Sequence, residues 1–174
     1  MDFSEAIHTR RSVREFKGDT IPEDVLTRVL DAARIAPSGS NRQPWRFILI
    51  KDEMLRRKMI SACNSQEFIG QAPVIIVACG QKLPINRGGY MGEMSMLLDV
   101  AIAFTHLILA ARAEGLGTCW IGAFSNEEIK KFLQVPDEYE VVAVTPLGFP
   151  KNENAFSQTA KRKTFDEIVS TNKF

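Results

Sequence analysis

Residues 92–114 read GEMSMLLDVAIAFTHLILAARAE and form a long segment that is apolar on nearly every face. Met96, Val100, Phe104 and Leu107 recur at the spacing of a helix, and further apolar residues fill the positions between them. A helix that is apolar all round must be buried on all sides. A single small domain has trouble surrounding such a helix, so we expect part of it to meet a second copy of the chain across a two-fold axis. The alternative is a central core helix in a monomer.

The same stretch bears on membrane insertion. Its longest apolar run, residues 100–111, includes the polar residues Thr105 and His106. The run is shorter than the ~20 residues that cross a bilayer, so we expect no membrane segment. The opening residues MDFSEAIHTRRS lack the layout of a secretory signal. The three cysteines, Cys63, Cys79 and Cys119, have neither an even number nor a metal-type spacing. We therefore expect a cytoplasmic protein with three buried thiols.

Working outward from the helix, strands and helices alternate in one domain that spans residues 1–174. Residues 74–79 are a continuous β-branched run typical of a central strand, and residues 45–50, 118–121 and 139–147 predict further strands. Residues 53–62 predict a helix, and so does the apolar periodicity after Pro22. Asp2 with Glu5, and Ser125 with Glu128, have the spacing of helix-capping boxes. This order indicates an α/β or an α+β class.

Charge and motifs exclude several functions. The chain has 22 basic and 21 acidic residues and a net charge of +1, so no global field attracts nucleic acid, and we expect no nucleic-acid partner. It contains no P-loop, no H-E-x-x-H and no G-x-S-x-G motif. Its two histidines are far apart in the sequence. Metal binding and triad catalysis are therefore not expected.

Two groups of polar residues remain as candidates for a binding site. Arg10, Arg11, Ser12 and Arg14 lie within five positions, and their guanidinium groups and hydroxyl could share a phosphate dianion. The alternative is a solvated helix end. The second group is residues 37–45, PSGSNRQPW, which offer side-chain donors and acceptors on a loop stiffened by two prolines and a tryptophan. Such a stiff loop suits a preorganised polar binding edge.

These groups belong to a longer series of motifs. In chain order they are Arg10-Arg11-Ser12-Val13-Arg14-Glu15-Phe16, Ala36-Pro37-Ser38 through Asn41, Gln43-Pro44-Trp45, Ala72-Pro73-Val74, residues 115–122 (GLGTCWIG), and Arg162-Lys163 followed by Phe165 and Glu167-Ile168-Val169. With these motifs in this order, the sequence resembles the nitroreductase family of FMN-dependent oxidoreductases along essentially its whole length.

The resemblance implies an α+β fold of three layers, in which helices flank a central, mostly antiparallel sheet. It also implies a homodimer with a long interface helix and two FMN molecules, each contacted by both chains. By position, Arg10, Ser12 and Arg162 would hold the phosphate, with Arg11 and Lys161 nearby. Arg14 would lie toward the pyrimidine edge of the flavin.

Other positions would surround the flavin ring. The partner chain would supply Pro37, Ser38, Ser40 and Asn41, and Gln43 would come from the same loop. Either Asn64 or Gln66 would contact the ring edge, and Ile121-Gly122 would pass beside it with a backbone N–H aimed at N5. Glycine suits that position because the backbone must come close to the ring.

The implied reaction is a ping-pong cycle in which NADH or NADPH delivers hydride to flavin N5 and a nitroaromatic, a quinone or a similar small acceptor then takes the electrons. Residues 82–92 form a shorter connection than in longer family members, so Tyr90 and Phe124 are expected to line an open substrate pocket. The alternatives are that both residues simply pack, that the enzyme is a dehydrogenase or dehalogenase of one metabolite, or that the protein is a flavin-binding sensor or carrier without turnover.

Overall fold

The computed structural model describes residues 1–82, 90–157 and 159–174 of the chain. Five α-helices and four strands lie within these residues, and short 3-10 turns occupy Gly39–Asn41 and Glu67–Gln71. The helices are α1 (Phe3–Thr9), α2 (Glu23–Arg34), α3 (Glu53–Ala62), α4 (Tyr90–Ala113) and α5 (Asn126–Leu133). The strands are β1 (Trp45–Ile50), β2 (Val74–Gln81), β3 (Gly117–Thr118) and β4 (Tyr139–Gly148).

Side-chain caps begin the helices where the sequence predicts them. The Asp2 carboxylate accepts a hydrogen bond from the Glu5 N–H at 2.7 Å, and Ser125 Oγ accepts one from the Glu128 N–H at 3.3 Å. Each bond satisfies one of the N–H groups that the first turn of a helix leaves unpaired. Both predicted caps are confirmed.

The four strands form one antiparallel sheet in the order β1-β2-β4-β3. Strand β2 lies inside the sheet and pairs with β1 on one side and β4 on the other, which confirms the predicted central strand. The fold is α+β, as the resemblance implied. A bulge interrupts the pairing of β2 with β4 between Ala78 and Cys79.

The two faces of β2 support two separate cores. Ile76 and Ala78 face a cluster that includes residues of α2 and α4, such as Val29 and Phe104. Ile75, Val77 and Cys79 belong to a second cluster with α3 and α5, centred on Met59 and Ile129. Since alternate residues of a strand point to opposite faces, this one strand joins three layers. All three cysteines are free and buried, as expected.

Helix α4 is not covered on all sides by the single chain. Leu97, Leu98 and Ile102 are 38%, 43% and 39% exposed, whereas Val100 and Phe104 are fully buried. The second copy that would cover the exposed face stays a prediction. Contrary to the expectation from the shorter apolar run, Met94–Ala113 is long and apolar enough to cross a membrane, and 39% of that window is buried inside the domain. Its contacts with α2 and with the sheet are those of a core helix.

Strand β3 is shorter than predicted. It ends at Thr118 because the next N–H, that of Cys119, donates to Thr145 Oγ1 at 3.1 Å instead of to the neighbouring backbone. Ile121 returns to the sheet as an isolated bridge with Val144. The chain therefore leaves the sheet for two residues and rejoins it beside Gly122.

Candidate functional site

The residues after α1 extend the sheet and carry the basic cluster. The Val13 N–H donates to the Thr118 carbonyl at 2.8 Å, and Ser12 and Thr118 form a parallel bridge. Val13 is buried, whereas its neighbours Ser12 and Arg14 are exposed. A Cβ added to Gly117 would lie 2.8 Å from Val13 Cβ, so only glycine lets the two segments come this close. The sheet thus presents Ser12 and Arg14 on its outer side.

The charges of Arg10 and Arg14 and the hydroxyl of Ser12 all act on the buried thiol of Cys119. Burial raises the pKa of this thiol, and three neighbours oppose the rise: the charge of Arg14, a hydrogen bond with Ser12 and the charge of Arg10. All three groups therefore lie close enough to one sulfur atom to act on it. Three residues of the cluster that was predicted to bind a phosphate therefore lie near one another.

Arg11 has a different environment. One of its terminal nitrogens, Nη1, donates to the carbonyl oxygens of His8 and Arg10, each at 2.8 Å. These carbonyls lie at the C-terminal end of α1, where a cation is favourable both as a donor and as a charge. Arg11 therefore caps α1.

A cleft of about 250 Å³ adjoins this segment. It is lined by Ser12, Val13, Arg14 and Glu15 and, from a later loop, by Asn152 and Ala155. This volume is below the roughly 300–1,000 Å³ of pockets that enclose a small molecule. Sequence reasoning missed Asn152, whose side chain accepts a hydrogen bond from the Asn154 N–H at 2.8 Å and shapes the loop.

Lys161 and Arg162 lie on the exposed segment near the end of the chain. Both side chains are exposed, and Arg162 Nη1 donates to the Lys161 carbonyl at 3.3 Å. The segment that follows also exposes its apolar residues, with Phe165 72% and Ile168 67% exposed. The predicted shared role of Arg162 and Arg10 stays a prediction.

The loop after α2 has an unusual backbone. Ser40, Asn41 and Gln43 all have positive φ, at 56°, 54° and 50°. Residues other than glycine in this region cost about 1–3 kcal/mol each and occur often at functional sites. Pro37, Ser40, Asn41 and Gln43 are exposed and Ser38 is half-buried, so most of the predicted loop residues face outward.

Two sets of hydrogen bonds hold this loop. Within it, the Gln43 N–H donates to Ser38 Oγ at 2.9 Å, and Gln43 Nε2 donates to the carbonyl and side-chain oxygens of Asn41. From outside, Asp99 on α4 accepts a bond from the Gly39 N–H at 2.9 Å. Asp99 is only 7% exposed. Sequence reasoning missed it, although Asp99 is the one acid between Glu93 and Glu114 in this apolar segment.

Asn64 and Gln66 differ in what they can offer a ligand. Asn64 is exposed and has a positive φ of 57°. Gln66 is half-buried, and its Nε2 donates to the Cys63 carbonyl at 2.9 Å. The amide of Asn64 is therefore the more available of the two.

The segment after β3 is open on its outer side. The Ile121 N–H donates to the Val144 carbonyl at 2.8 Å, so it is committed to the sheet. Gly122 is exposed, and a Cβ added there would have no protein atom within 4 Å. Phe124 is half-buried and packs against the second core cluster. The side chain of Tyr90, like most of the connection at residues 82–92, lies outside the described residues.

An apolar groove of about 400 Å³ runs along α1, α2 and α4. It is lined mainly by Met1, Phe3, Ala6, Ile35, Leu109 and Ala113. Across the residues that the structure describes, no group of three or more histidine, cysteine or acidic side chains is placed to hold a metal ion.

Comparisons with known proteins agree with these features. The sequence profile of the Nitroreductase family matches residues 7–66 and 59–149. A crystal structure of a nitroreductase family protein from Clostridium novyi NT is 37% identical, with a TM-score of 0.82 over 89% of this chain and 88% of that chain.

Two curated relatives have different reactions in their names. The NADH dehydrogenase of Thermus thermophilus is 29% identical, over 88% of this chain and 89% of its own. The 5,6-dimethylbenzimidazole synthase of Rhodospirillum rubrum is 32% identical, over 83% of this chain and 80% of its own. Chains that resemble this one over most of their length thus catalyse more than one reaction.

Proposed function

Since this chain belongs to the nitroreductase family of oxidoreductases, we propose that it is an FMN-dependent enzyme that oxidises NADH or NADPH and reduces a small acceptor, such as a nitroaromatic or a quinone. One observation carries the proposal. The bridge between Ser12 and Thr118 places the segment that carries Arg10, Ser12 and Arg14 beside β3, and the chain then runs from Thr118 to the open backbone at Gly122. A phosphate group and a flat ring need such neighbours at the two ends of one site.

The residues present fit FMN. Guanidinium forks and a hydroxyl are the donors that proteins use for a phosphate dianion. Within the part of the chain that the structure describes, no atom lies within 4 Å of a Cβ placed on Gly122, so the packing of these residues does not explain why Gly122 lacks one. A ring close to the backbone would explain it.

The phosphate would be held by Arg10 and Ser12, joined by Arg162. Arg11 and Lys161 would lie nearby, and Arg11 would contribute charge more than contact because its Nη1 already bonds two carbonyls. The exposed position of Arg162 suits a residue that is placed only when a second chain orders the tail. FMN, when bound, supplies the redox chemistry by accepting hydride from the reduced nicotinamide and passing electrons to the acceptor in a separate half-reaction.

Arg14 would have an electrostatic role. It is an exposed cation on the same segment as Arg10 and Ser12. We assign it to the pyrimidine edge of the flavin, where negative charge develops on reduction. A fixed positive charge there stabilises the reduced form and raises the reduction potential. The N–H of Gly122 would point to N5, since the Ile121 N–H is bonded to Val144. At the ring edge we assign Gln43 and, because its amide is the more available, Asn64.

The site would be completed in a homodimer. The exposed apolar face of α4, the groove beside α1 and the apolar tail would all be covered by a second copy. The partner would deliver Pro37, Ser38, Ser40 and Asn41 on the loop that Asp99 holds. Tyr90 and Phe124 remain our candidates for the acceptor pocket. We place the enzyme in the cytoplasm.

A second function within the family is the conversion of one specific metabolite, as the name of the Rhodospirillum rubrum relative illustrates. Turnover of one compound far above that of generic acceptors would favour it. A flavin-binding sensor or carrier is the other alternative, and steady NADH or NADPH oxidation with an added quinone would exclude it.

The purified protein tests the proposal directly. We expect a yellow sample whose flavin absorbance is bleached by NADH or NADPH without oxygen and returns when a quinone is added. Arg10→Glu should weaken FMN binding, whereas Arg14→Gln should mainly lower the reduction potential. A colourless protein that takes up no FMN would refute the proposal, and equal loosening of FMN by both variants would refute the division of roles.

A further inference from the structure

Arg112, near the C-terminal end of α4, is a buried cation without a carboxylate partner. It is 9% exposed, and no salt bridge joins it to an acid among the described residues. Burial lowers the pKa of its guanidinium, and the charge of Glu5 on α1 opposes this in part. Burying a charged side chain is costly unless it is paired. The burial of Arg112 therefore needs an explanation other than a salt bridge.

One contact of Arg112 fixes the end of α1. Its Nε donates to Thr9 Oγ1 at 2.9 Å, and the same hydroxyl donates to the Glu5 carbonyl at 2.6 Å. Thr9 therefore has both its donor and an acceptor position in use. Arg10 follows directly, and its N–H closes the helix on the Ala6 carbonyl at 3.0 Å. Arg112 thus fixes Thr9, which directly precedes Arg10 and the other residues predicted to bind the phosphate.

The other contact of Arg112 is with Phe156, in the segment that follows β4. The guanidinium carbon of Arg112 lies 3.9 Å from the centre of the Phe156 ring, within the range of a cation–π interaction. Phe156 also packs against the cluster of Val13, Phe16 and Ala72. The chain that leaves Phe156 leads to Lys161 and Arg162. One side chain therefore contacts both segments to which the phosphate-binding residues are assigned.

We propose that Arg112 is a positioning residue for the phosphate of FMN, which fixes the segment at Thr9 and the segment at Phe156 and adds positive potential behind them. This inference rests on the proposed function. The charge of Glu5 already acts on Arg112, and the phosphate dianion would add a second negative charge. The side chain acts through Arg10, Ser12 and Arg162 and does not touch the ring.

The test separates the phosphate from the ring by comparing FMN with riboflavin, which has the same ring and no phosphate. Full-length protein loaded with FMN, or with riboflavin by exchange, is diluted, and released flavin is measured by its fluorescence to obtain both dissociation constants. Arg112→Met should weaken FMN binding about tenfold to a hundredfold, the loss expected for one charge-assisted hydrogen bond. Riboflavin binding should stay within about twofold. Arg112→Lys should recover part of the FMN affinity because it keeps the charge and loses the stacked plane.

Two further variants keep the test decisive. Arg57→Met removes an exposed arginine whose salt bridge among the described residues is with Glu53 on its own helix, and it should change neither constant. Thr9→Val removes one of the two contacts and should produce a smaller loss, again for FMN alone. It also serves if Arg112→Met does not fold.

Equal losses for FMN and riboflavin, or no loss for either, in Arg112→Met or in Thr9→Val would overturn the positioning role while leaving the proposed function intact. A wild-type protein that binds neither flavin would overturn both.

Discussion

Substitution of Gly122 by alanine should have opposite effects on the stability of the fold and on the binding of FMN. The added Cβ would meet no protein atom within 4 Å, and Gly122 does not have a positive φ. Replacing glycine by alanine where the backbone allows it restricts the unfolded chain and stabilises a protein by about 0.4–1 kcal/mol. Without flavin, Gly122→Ala should therefore be as stable as the wild type or slightly more stable.

With FMN the sign should reverse. If the ring lies against this backbone, the methyl group takes the place of ring atoms, and an overpacked contact costs about 1–3 kcal/mol. This corresponds to an increase of about 5-fold to 140-fold in the FMN dissociation constant. The same methyl group would thus strengthen the fold and weaken the complex.

Urea denaturation of the flavin-free chain and fluorescence titration with FMN measure the two quantities. Gly18→Ala is the matched control because a Cβ there also meets no atom of the described residues within 4 Å, and Gly18 is an exposed glycine with no assigned contact to the flavin. It should leave FMN affinity unchanged. Unaltered FMN affinity in Gly122→Ala would refute the placement of the ring beside this residue, and a loss of stability without flavin would show that the backbone itself requires glycine.

Asp99→Ala removes the buried acceptor that holds the loop after α2 and should lower the free energy of unfolding in urea by about 1.5–3 kcal/mol, while Asp99→Asn should cost less; equal costs would contradict the role of the charge. A hydrogen bond from Lys82 lowers the pKa of Glu140 below 4.5, so the stabilisation is present above that pH and is lost as the pH falls through the lowered value. Glu140→Gln should accordingly lower the free energy of unfolding by less than about 1 kcal/mol at pH 7 and not at all in acid. A loss of stability that grows toward low pH would contradict the lowered pKa of Glu140. Burial raises the pKa of Cys63 to about 12 and that of Cys79 to about 11, so neither thiol should react with a disulfide reagent at pH 8 until the protein is unfolded, and rapid reaction in the native state would contradict their burial.

Elements with strong local punctuation were predictable from the sequence. The strand at Trp45–Ile50 and the helix at Glu53–Ala62 have the predicted bounds, because Pro44 precedes the strand and Asp52 caps the helix through the Leu55 N–H. Between these signals the strand is apolar except at Arg46, and the helical spacing of Leu55, Met59 and Ala62 continues without interruption. Such elements depend on neighbours in the chain.

The features that were missed depend on partners far away in the chain. Strand β3 is short because Thr145, 26 positions later, takes the N–H of Cys119. Asp99 bonds Gly39 across 60 positions, and no local pattern indicates that pairing. The cluster of Arg10, Ser12 and Arg14 was predicted as a group, but its place beside β3 depends on the bridge to Thr118. Spacing alone identifies candidate side chains and leaves their neighbours undetermined.

The pairing of the first segment with distant ones has a consequence for synthesis on the ribosome. Val13 can bond Thr118 only after most of the chain has been made, and Arg112 reaches back 103 positions to Thr9. At about 5–20 residues per second, Arg14 is added roughly 7–30 seconds before Arg162. During that interval the nascent chain carries its first cationic residues without the strands that orient them. In the proposed role, cofactor capture is then one of the last events in the making of the protein, and FMN uptake reports that the chain has been completed.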